Sequence, residues 1–442
     1  MNVLEWKKKH GRSRRYTHFD EKIALNESLW GYINNPKMIE KHGFYPFIHY
    51  TLSFKKYNKM NGIKEKSREI CYSSHIDRYI FQFYGHKLNQ VYNKRVREYG
   101  IDESVIAYRD NLHKNNIHFA KRAIDFIRDS QSCYIIIGDF TKFFDRLDHK
   151  YLKNMLCDLL QFETLPGDYF AVYKNITKYS TWDLTDLLKL NGLKNNEDGI
   201  KAFNDLERAL PVAKFRELKK QYIKRHACSF GIPQGSAISA VLSNIYMLEF
   251  DKRLSDYIKS KKGLYMRYSD DFILILPKQE CNGVDIEYRD VYSVINSTPL
   301  LELEHEKTQI FEYEKEIIKS SNELVFDNVN NGKNIMNYLG FSFDGKKVAL
   351  RDKTISKYYY RLYRKLKTVI KNNGITKTGK RISFENIYEK YSVKGAKVTK
   401  GKRGNFITYV RKAERIFENE KEIGLVSKRH MQKIRRRLKR IR

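Results

Sequence analysis

The sequence has no clustered cysteines: Cys71, Cys133, Cys157, Cys228 and Cys281 lie far apart, without a CxxC pair. A zinc ribbon or a disulfide framework is thereby excluded, and the thiols suit a reducing, cytoplasmic setting. None of the 12 histidines falls in an HExxH or similar ligand spacing. No apolar run approaches the roughly 18 residues that a membrane span needs, so no membrane partner is expected. The first residues, Met1 to Tyr16, are basic and lack the apolar region of a secretory signal. The glycosylation-like triplets at Asn175 and Asn296 therefore carry no meaning. Internal repeats and low-complexity tracts are missing too. Acid is in short supply: 52 Asp and Glu stand against 85 Lys and Arg, a net charge of +33. Such an excess repels itself unless a polyanion offsets it, and a nucleic acid is the natural one, because each neutralised phosphate releases a counterion. A merely solvated basic surface is the competing reading, and the 14% of aromatic residues weighs against it.

What is present is ample core material. Hydrophobic residues make up 41% of 442, enough for two or three packed subdomains. Composition suggests an N-terminal extension over 1–60, a central unit over 61–350, and a basic helical module with a tail over 351–442. Apolar spacing predicts amphipathic helices from Ile76 to about Val96 and from His118 to Ile127. Cys133 to Gly138 reads as a buried strand, ending on Asp139. The stretch from about Leu165 to Lys220 reads as an all-α insertion, and Ile238 to Tyr257 as one helix. Leu264 to Leu276 reads as a hairpin with Asp270 and Asp271 at its tip. The last 15 residues carry nine Lys or Arg and no acid.

Asp139, Asp270 and Asp271 stand out by position. Charge at the end of a buried strand is costly unless compensated. A strand end is also a rigid mount, and facing strands could bring Asp139 and Asp270 together. Converging carboxylates repel each other and invite a hard divalent cation such as Mg²⁺. Two such ions roughly 4 Å apart activate a hydroxyl and stabilise a leaving oxygen in phosphoryl transfer. A plain Asp-rich turn is the alternative for the Asp pair alone.

These residues resemble a known family. Ile137-Gly138-Asp139-Phe140 through Asp145 resembles motif A of reverse transcriptases. Gly231-Ile232-Pro233-Gln234-Gly235-Ser236, with Ser239, Leu242 and Asn244 beyond it, resembles motif B. Tyr268-Ser269-Asp270-Asp271 has the form of the YxDD box of motif C. Leu303 to Thr308 resembles motif D, and Tyr338-Leu339-Gly340-Phe341 the primer-grip motif E. Lys66-Ser67-Arg68 and Ala107-Tyr108-Arg109 resemble the fingers motifs. Motifs A to E occur in the family's order and span about residues 130–345, with the fingers motifs upstream.

The resemblance implies an α+β right-hand polymerase with an antiparallel palm sheet, helical fingers and a helical basic thumb. It implies RNA-templated DNA synthesis with two Mg²⁺ ions, Mn²⁺ being a substitute. Asp139 and Asp270 would bind both ions, helped by the carbonyl of Phe140, with Asp271 secondary. Phe144 matches the steric gate against a 2′-hydroxyl; plain core packing is its alternative. Gln234 would lie against the incoming base and the template. Lys307 would face the pyrophosphate, with a solvated lysine as the competitor. Lys66, Arg68 and Arg109 would clamp phosphates. Tyr338 and Gly340, and Lys357, Arg361 and Arg364 of the thumb, would touch the template–primer duplex.

One further decoy is set aside. Gly374 to Arg381 nearly spells a P-loop, but Arg381 stands where Ser or Thr must meet Mg²⁺ and no apolar strand precedes it. Neither a nuclease-like stretch nor a ribonuclease H domain follows the thumb, and the NAxxH and VTG signatures of retron enzymes are missing. The compact plan most resembles the bacterial antiphage reverse transcriptases of the "unknown groups", several of which copy a dedicated structured non-coding RNA. A group II intron-like reverse transcriptase or maturase, or an RNA-binding scaffold with vestigial activity, are the alternatives.

Overall fold

In the computed structural model, residues 3–58, 62–109, 111–325, 333–375, 385–393, 395, 404–418, 420–426 and 430–439 are described. Most of the P-loop-like stretch, 376–381, lies outside them. The strands in chain order are β1 (Phe47–Thr51), β2 (Phe54–Asn58), β3 (Gly62–Lys66), β4 (Glu69–Tyr72) and β5 (Ser132–Asp139). After them come β6 (Ser180–Asp183), β7 (Lys224–Arg225), β8 (Leu264–Tyr268), β9 (Asp271–Pro277) and β10 (Gln309–Glu314). The last four are β11 (Ile317–Ser320), β12 (Met336–Tyr338), β13 (Phe341–Phe343) and β14 (Val348–Leu350).

The central sheet runs β11-β10-β5-β9-β8 and is antiparallel throughout. Its two central strands, β5 and β9, are apolar between their ends because both faces are covered. Ile136, Phe272, Leu274 and Leu276 enter one core, while Cys133, Ile135, Ile137, Ile273 and Ile275 enter the other. Period-two alternation thus divides one apolar run between two interiors. The first core is shared with helices His75–Glu98, Ser239–Tyr246, Leu248–Ser260 and Val284–Asn296. Helix Asn116–Ser130, the small sheet β12-β13-β14 and helix Phe406–Ile416 close the other face. The architecture is therefore mixed α+β around an antiparallel sheet, as expected.

Helix Asn116–Ser130 starts where its sequence says it should: Asn115 accepts the first amides and His118 returns the bond, a capping box. The helix expected over 238–257 is two helices, with Met247 as the junction. The insertion is not all-α. Its Ser180-Thr181-Trp182-Asp183 segment forms β6, which lies parallel to β1 in a second sheet of order β4-β1-β6-β7. Trp182 is wholly buried there, and its demand for a pleated apolar site overrides the helical surroundings. The region expected to be helical fingers thus carries a four-stranded sheet of its own. Trp6, Ile33, Ile39 and Phe47, from residues 1–60, bury their side chains in the first core beside Phe81 and Phe83. After residue 350, helix Asp352–Lys371 buries Tyr358, Leu362, Leu366 and Val369 along one stripe.

Candidate active site

Strand pairing brings the acidic residues to one sheet edge. Asp139 closes β5, and the β5–β9 register sets it opposite Asp271, the first residue of β9. Asp270 precedes it in the β8–β9 turn, and its carbonyl accepts the amide of Phe140 at 3.3 Å. Beyond Asp139 the chain is fastened again: the Asp139 carbonyl takes the Glu304 amide at 2.7 Å, and the Thr141 amide donates to Glu302 at 2.8 Å. Gly138 is required one residue earlier. A β-carbon there would lie 2.3 Å from the Phe272 ring and 2.9 Å from Leu303. Only a bare backbone lets that ring pass beneath the carboxylates.

The electrostatics are strained in the manner of a cation site. Asp271 remains open to solvent at the strand end. Even so, desolvation by the atoms around it, and then the charges of Asp270 and Asp139, push its carboxyl up to about 7 against Lys307 and Arg351. Lys307 places its ammonium 2.5 Å from Asp139 and 3.8 Å from Glu304. Burial alone would lower it; the hydrogen bond and charge of Asp139 hold it above its usual value. Among the described residues no group of three or more His, Cys, Asp or Glu is spaced to hold an ion. The donor chemistry nonetheless fits a hard divalent cation: carboxylates share one edge, and one of them binds a proton near neutrality to relieve repulsion.

That shift has a measurable sign. The folded value of Asp271 lies above the ordinary 3.8, so the folded chain holds this proton more tightly than the unfolded chain. Stability without a cation is expected to fall as pH rises from about 4 to about 7, and the loss is complete above that. Because a cation cancels the repulsion, Mg²⁺ should raise the melting temperature more at about pH 8 than at about pH 5. Equal shifts at both would contradict this reading of the edge.

The surrounding loops are tied to the same edge. Phe144 is half-buried in the turn Phe143–Arg146, its ring 5.4 Å from that of Phe143, and its carbonyl accepts the Ile232 amide at 2.9 Å. Gln234 donates its side-chain amide to Asp145 at 3.1 Å, while its carbonyl takes the Cys71 amide of β4 at 2.8 Å. A cavity of about 310 Å³, lined by Gln234, Asp145, His49 and Glu69 among others, opens there.

Other expected residues fall elsewhere. Lys66 and Arg68 are exposed beside the β2–β3 hairpin, with the Arg68 guanidinium 6.0 Å from the Phe54 ring. Arg109 is no phosphate clamp. Its side chain is wholly buried, donating to Asn93 at 2.8 Å, to the carbonyls of Asp102 and Val105, and to the Asp102 carboxylate at 2.5 Å. Tyr338 is not a nucleic-acid surface either. It is buried in β12 with no hydroxyl partner, and burial, then the charge of Asp271, raises its pKa well above the usual value. Gly340 sits half-buried in the β12–β13 turn at φ 93°. Lys357, Arg361 and Arg364 form an exposed basic face on helix Asp352–Lys371, together with Tyr360.

Sequence reasoning missed the support beneath the turn. Arg267 of β8 and Asp251 of helix Leu248–Ser260 are both wholly buried and paired at 2.6 and 2.7 Å. The signal was there: an arginine inside the apolar strand Leu264–Tyr268 needs a buried acid, and Asp251 lies on the apolar stripe with Leu248 and Leu254.

Residues 63–343 match the family model described as reverse transcriptase (RNA-dependent DNA polymerase). Among curated proteins none is a significant match. Among solved structures the chain is similar to apo telomerase from Candida tropicalis truncated from its C-terminal domain. That match has 15% identity and a TM-score of 0.42, covering 68% of this chain and 54% of that one. It is also similar to apo telomerase from Candida tropicalis, at 14% identity and a TM-score of 0.42, over 98% of this chain and 68% of that one. The chain thus spans about half to two thirds of the length of these structures.

Proposed function

The chain belongs to the reverse transcriptase family, and from that premise we propose that it copies RNA into DNA by adding deoxynucleotides to a primer hydroxyl. The observation that carries this reading is the in-register meeting of Asp139 and Asp271, with Asp270 beside them, at one edge of the central sheet. Two Mg²⁺ ions on Asp139 and Asp270, assisted by the Phe140 carbonyl and Asp271, would supply activation of the attacking hydroxyl and relief of charge on the leaving oxygen. Lys307, already drawn to this edge, neutralises the pyrophosphate side and is able to donate a proton there. Gln234 lies against the base pair being formed, and the exposed basic face of helix Asp352–Lys371 follows the duplex backbone.

Within this reading, residues 1–60 form an extension, 61–350 the fingers and palm, and 351–442 the thumb and tail. The template is a dedicated structured non-coding RNA, the setting the cytoplasm, and the biological role defence against phage, as in the bacterial "unknown group" enzymes. The net charge of +33 supports the nucleic-acid part of it. Purified protein offered a primed RNA template with labelled deoxynucleotides should extend the primer. No incorporation on any primed RNA would sink the polymerase reading. Sequencing the nucleic acid that co-purifies from cells tests the template: one recurring structured RNA is expected, and bulk cellular RNA would overturn that part.

Phe144 sets sugar choice in this scheme, because a ring beneath the sugar collides with a 2′-hydroxyl. Phe144→Ala should raise ribonucleotide use relative to deoxynucleotide use by about tenfold to a hundredfold, the scale of a removed steric contact. The check is the ratio of kcat/KM for CTP and dCTP, and an unchanged ratio makes Phe144 core alone.

A further inference from the structure

Asp270 sits on a turn that would not hold its shape unaided. Ser269 has φ 64°, a left-handed conformation costly for a residue with a β-carbon, and Tyr108 opposite it has φ 59°. Their side chains meet, Tyr108 hydroxyl to Ser269 hydroxyl, at 3.0 Å. From below, Arg267 donates from one guanidinium nitrogen, Nη1, to the Ser269 carbonyl at 2.9 Å and to the Asn244 side-chain carbonyl at 3.3 Å. Its other N–H groups grip both oxygens of Asp251, at 2.7 and 2.6 Å. Asn244 in turn donates to the carbonyl of Ala107, at 3.0 Å, next to Tyr108. Arg267 is fastened through its backbone as well: its amide reaches Ser104 at 2.8 Å, and its carbonyl takes the Ile106 amide at 3.0 Å.

Segment 104–108, helices Ser239–Tyr246 and Leu248–Ser260, and strand β8 thus converge on one residue, Ser269, which immediately precedes Asp270. We propose that Arg267, oriented by Asp251 and Asn244, and Tyr108 from the opposite side are positioning residues that fix the Asp270-bearing turn for cation binding. The inference rests on the reading of Asp270 given above. Arg267 touches no substrate; it acts through the Ser269 carbonyl. A fork of fixed N–H groups suits this task, since it ties a carboxylate and a carbonyl together in one plane, which a lysine ammonium cannot do. Replacing a group that orients a metal ligand typically costs about tenfold to a hundredfold in metal affinity or activity.

The test compares wild type with Tyr108→Phe, Asn244→Ala and Arg267→Lys. Three readouts are needed: Mn²⁺ binding to the full chain by EPR titration, kcat and KM in primer extension, and the melting transition. The expected result is Mn²⁺ affinity weakened, and kcat lowered, by about tenfold to a hundredfold with duplex KM unchanged. Tyr108→Phe combined with Ser269→Ala should be no worse than Tyr108→Phe alone, because the two hydroxyls act as one contact. Should Arg267→Lys fail to fold, Tyr108→Phe decides, since it removes a single hydroxyl from a ring that is 44% exposed. Wild-type Mn²⁺ affinity and kcat in Tyr108→Phe and Asn244→Ala would overturn the proposal. Failure of the polymerase reading looks different: wild type itself would add no nucleotide, while the EPR comparison would still judge the turn.

Discussion

Asp270→Ala is expected to abolish primer extension while leaving the protein folded and able to bind a template–primer duplex. The carboxylate stands at a half-exposed turn rather than in the core, so its removal opens no cavity. Its carbonyl bond to the Phe140 amide is a backbone contact and survives the substitution. What disappears is a charged oxygen ligand at the place where negative charge gathers on the transferring phosphate. Several kcal/mol of charge stabilisation are at stake, so kcat should fall by at least about a thousandfold. On the proposed reading the duplex Kd should change little, because it is set by the exposed basic face of helix Asp352–Lys371. Asp139→Asn should act alike and also free Lys307 from its 2.5 Å contact. Single-turnover extension beside duplex binding by fluorescence anisotropy makes the check. A variant that extends primers at the wild-type rate would mean that the chemistry lies elsewhere.

Asp251→Ala should have the largest effect on stability. Arg267 and Asp251 are both without solvent contact, and Tyr265 adds its hydroxyl to the same carboxylate at 2.5 Å. Removing the acid leaves a guanidinium buried with no counter-charge and a tyrosine with no acceptor. The cost of such an orphaned ion is about 3–5 kcal/mol, a large fraction of the stability of most domains. Chemical denaturation should show a lower midpoint, and expression should yield less soluble protein. Replacing the pair together, Arg267→Met with Asp251→Leu, should recover much of the loss because neither charge then remains. A double replacement as unstable as Asp251→Ala would place the cost in packing rather than in the unpaired charge.

The parts of this molecule that were legible in sequence are those governed by short-range pattern. Strand β5 is an apolar run that ends in an acid and β9 one that begins with it, and helix Asn116–Ser130 carries its own cap, so each was visible from its neighbours alone. The sequence pointed to a meeting of Asp139 with Asp270, whereas the β5–β9 register sets Asp139 level with Asp271, one residue further on. What stayed hidden depends on partners distant in the chain. Arg109 looks like a free cation until Asp102 and Asn93 fold around it. Tyr338 looks like an exposed aromatic until β12 lies behind the Asp271 edge. Strand β6 is four residues among helices, and only its pairing with β1 makes it a strand. Arg267 is the instructive miss, because an unexplained arginine in an apolar strand was a question about a buried partner that the strand itself could not answer.

The long reach of the β5–β9 pairing also bears on how the protein comes into being. Cys133 faces Pro277 and Asp139 faces Asp271, so the whole insertion and both following helices are synthesised before β5 finds its neighbour. Closing so wide a loop is slow, and until it closes an apolar strand stands with an unsatisfied edge. A ribosome that has released β5 but not β9 therefore carries a sticky, inactive nascent chain. Binding by a holding chaperone should peak in that window of translation and vanish once the ribosome has passed β10.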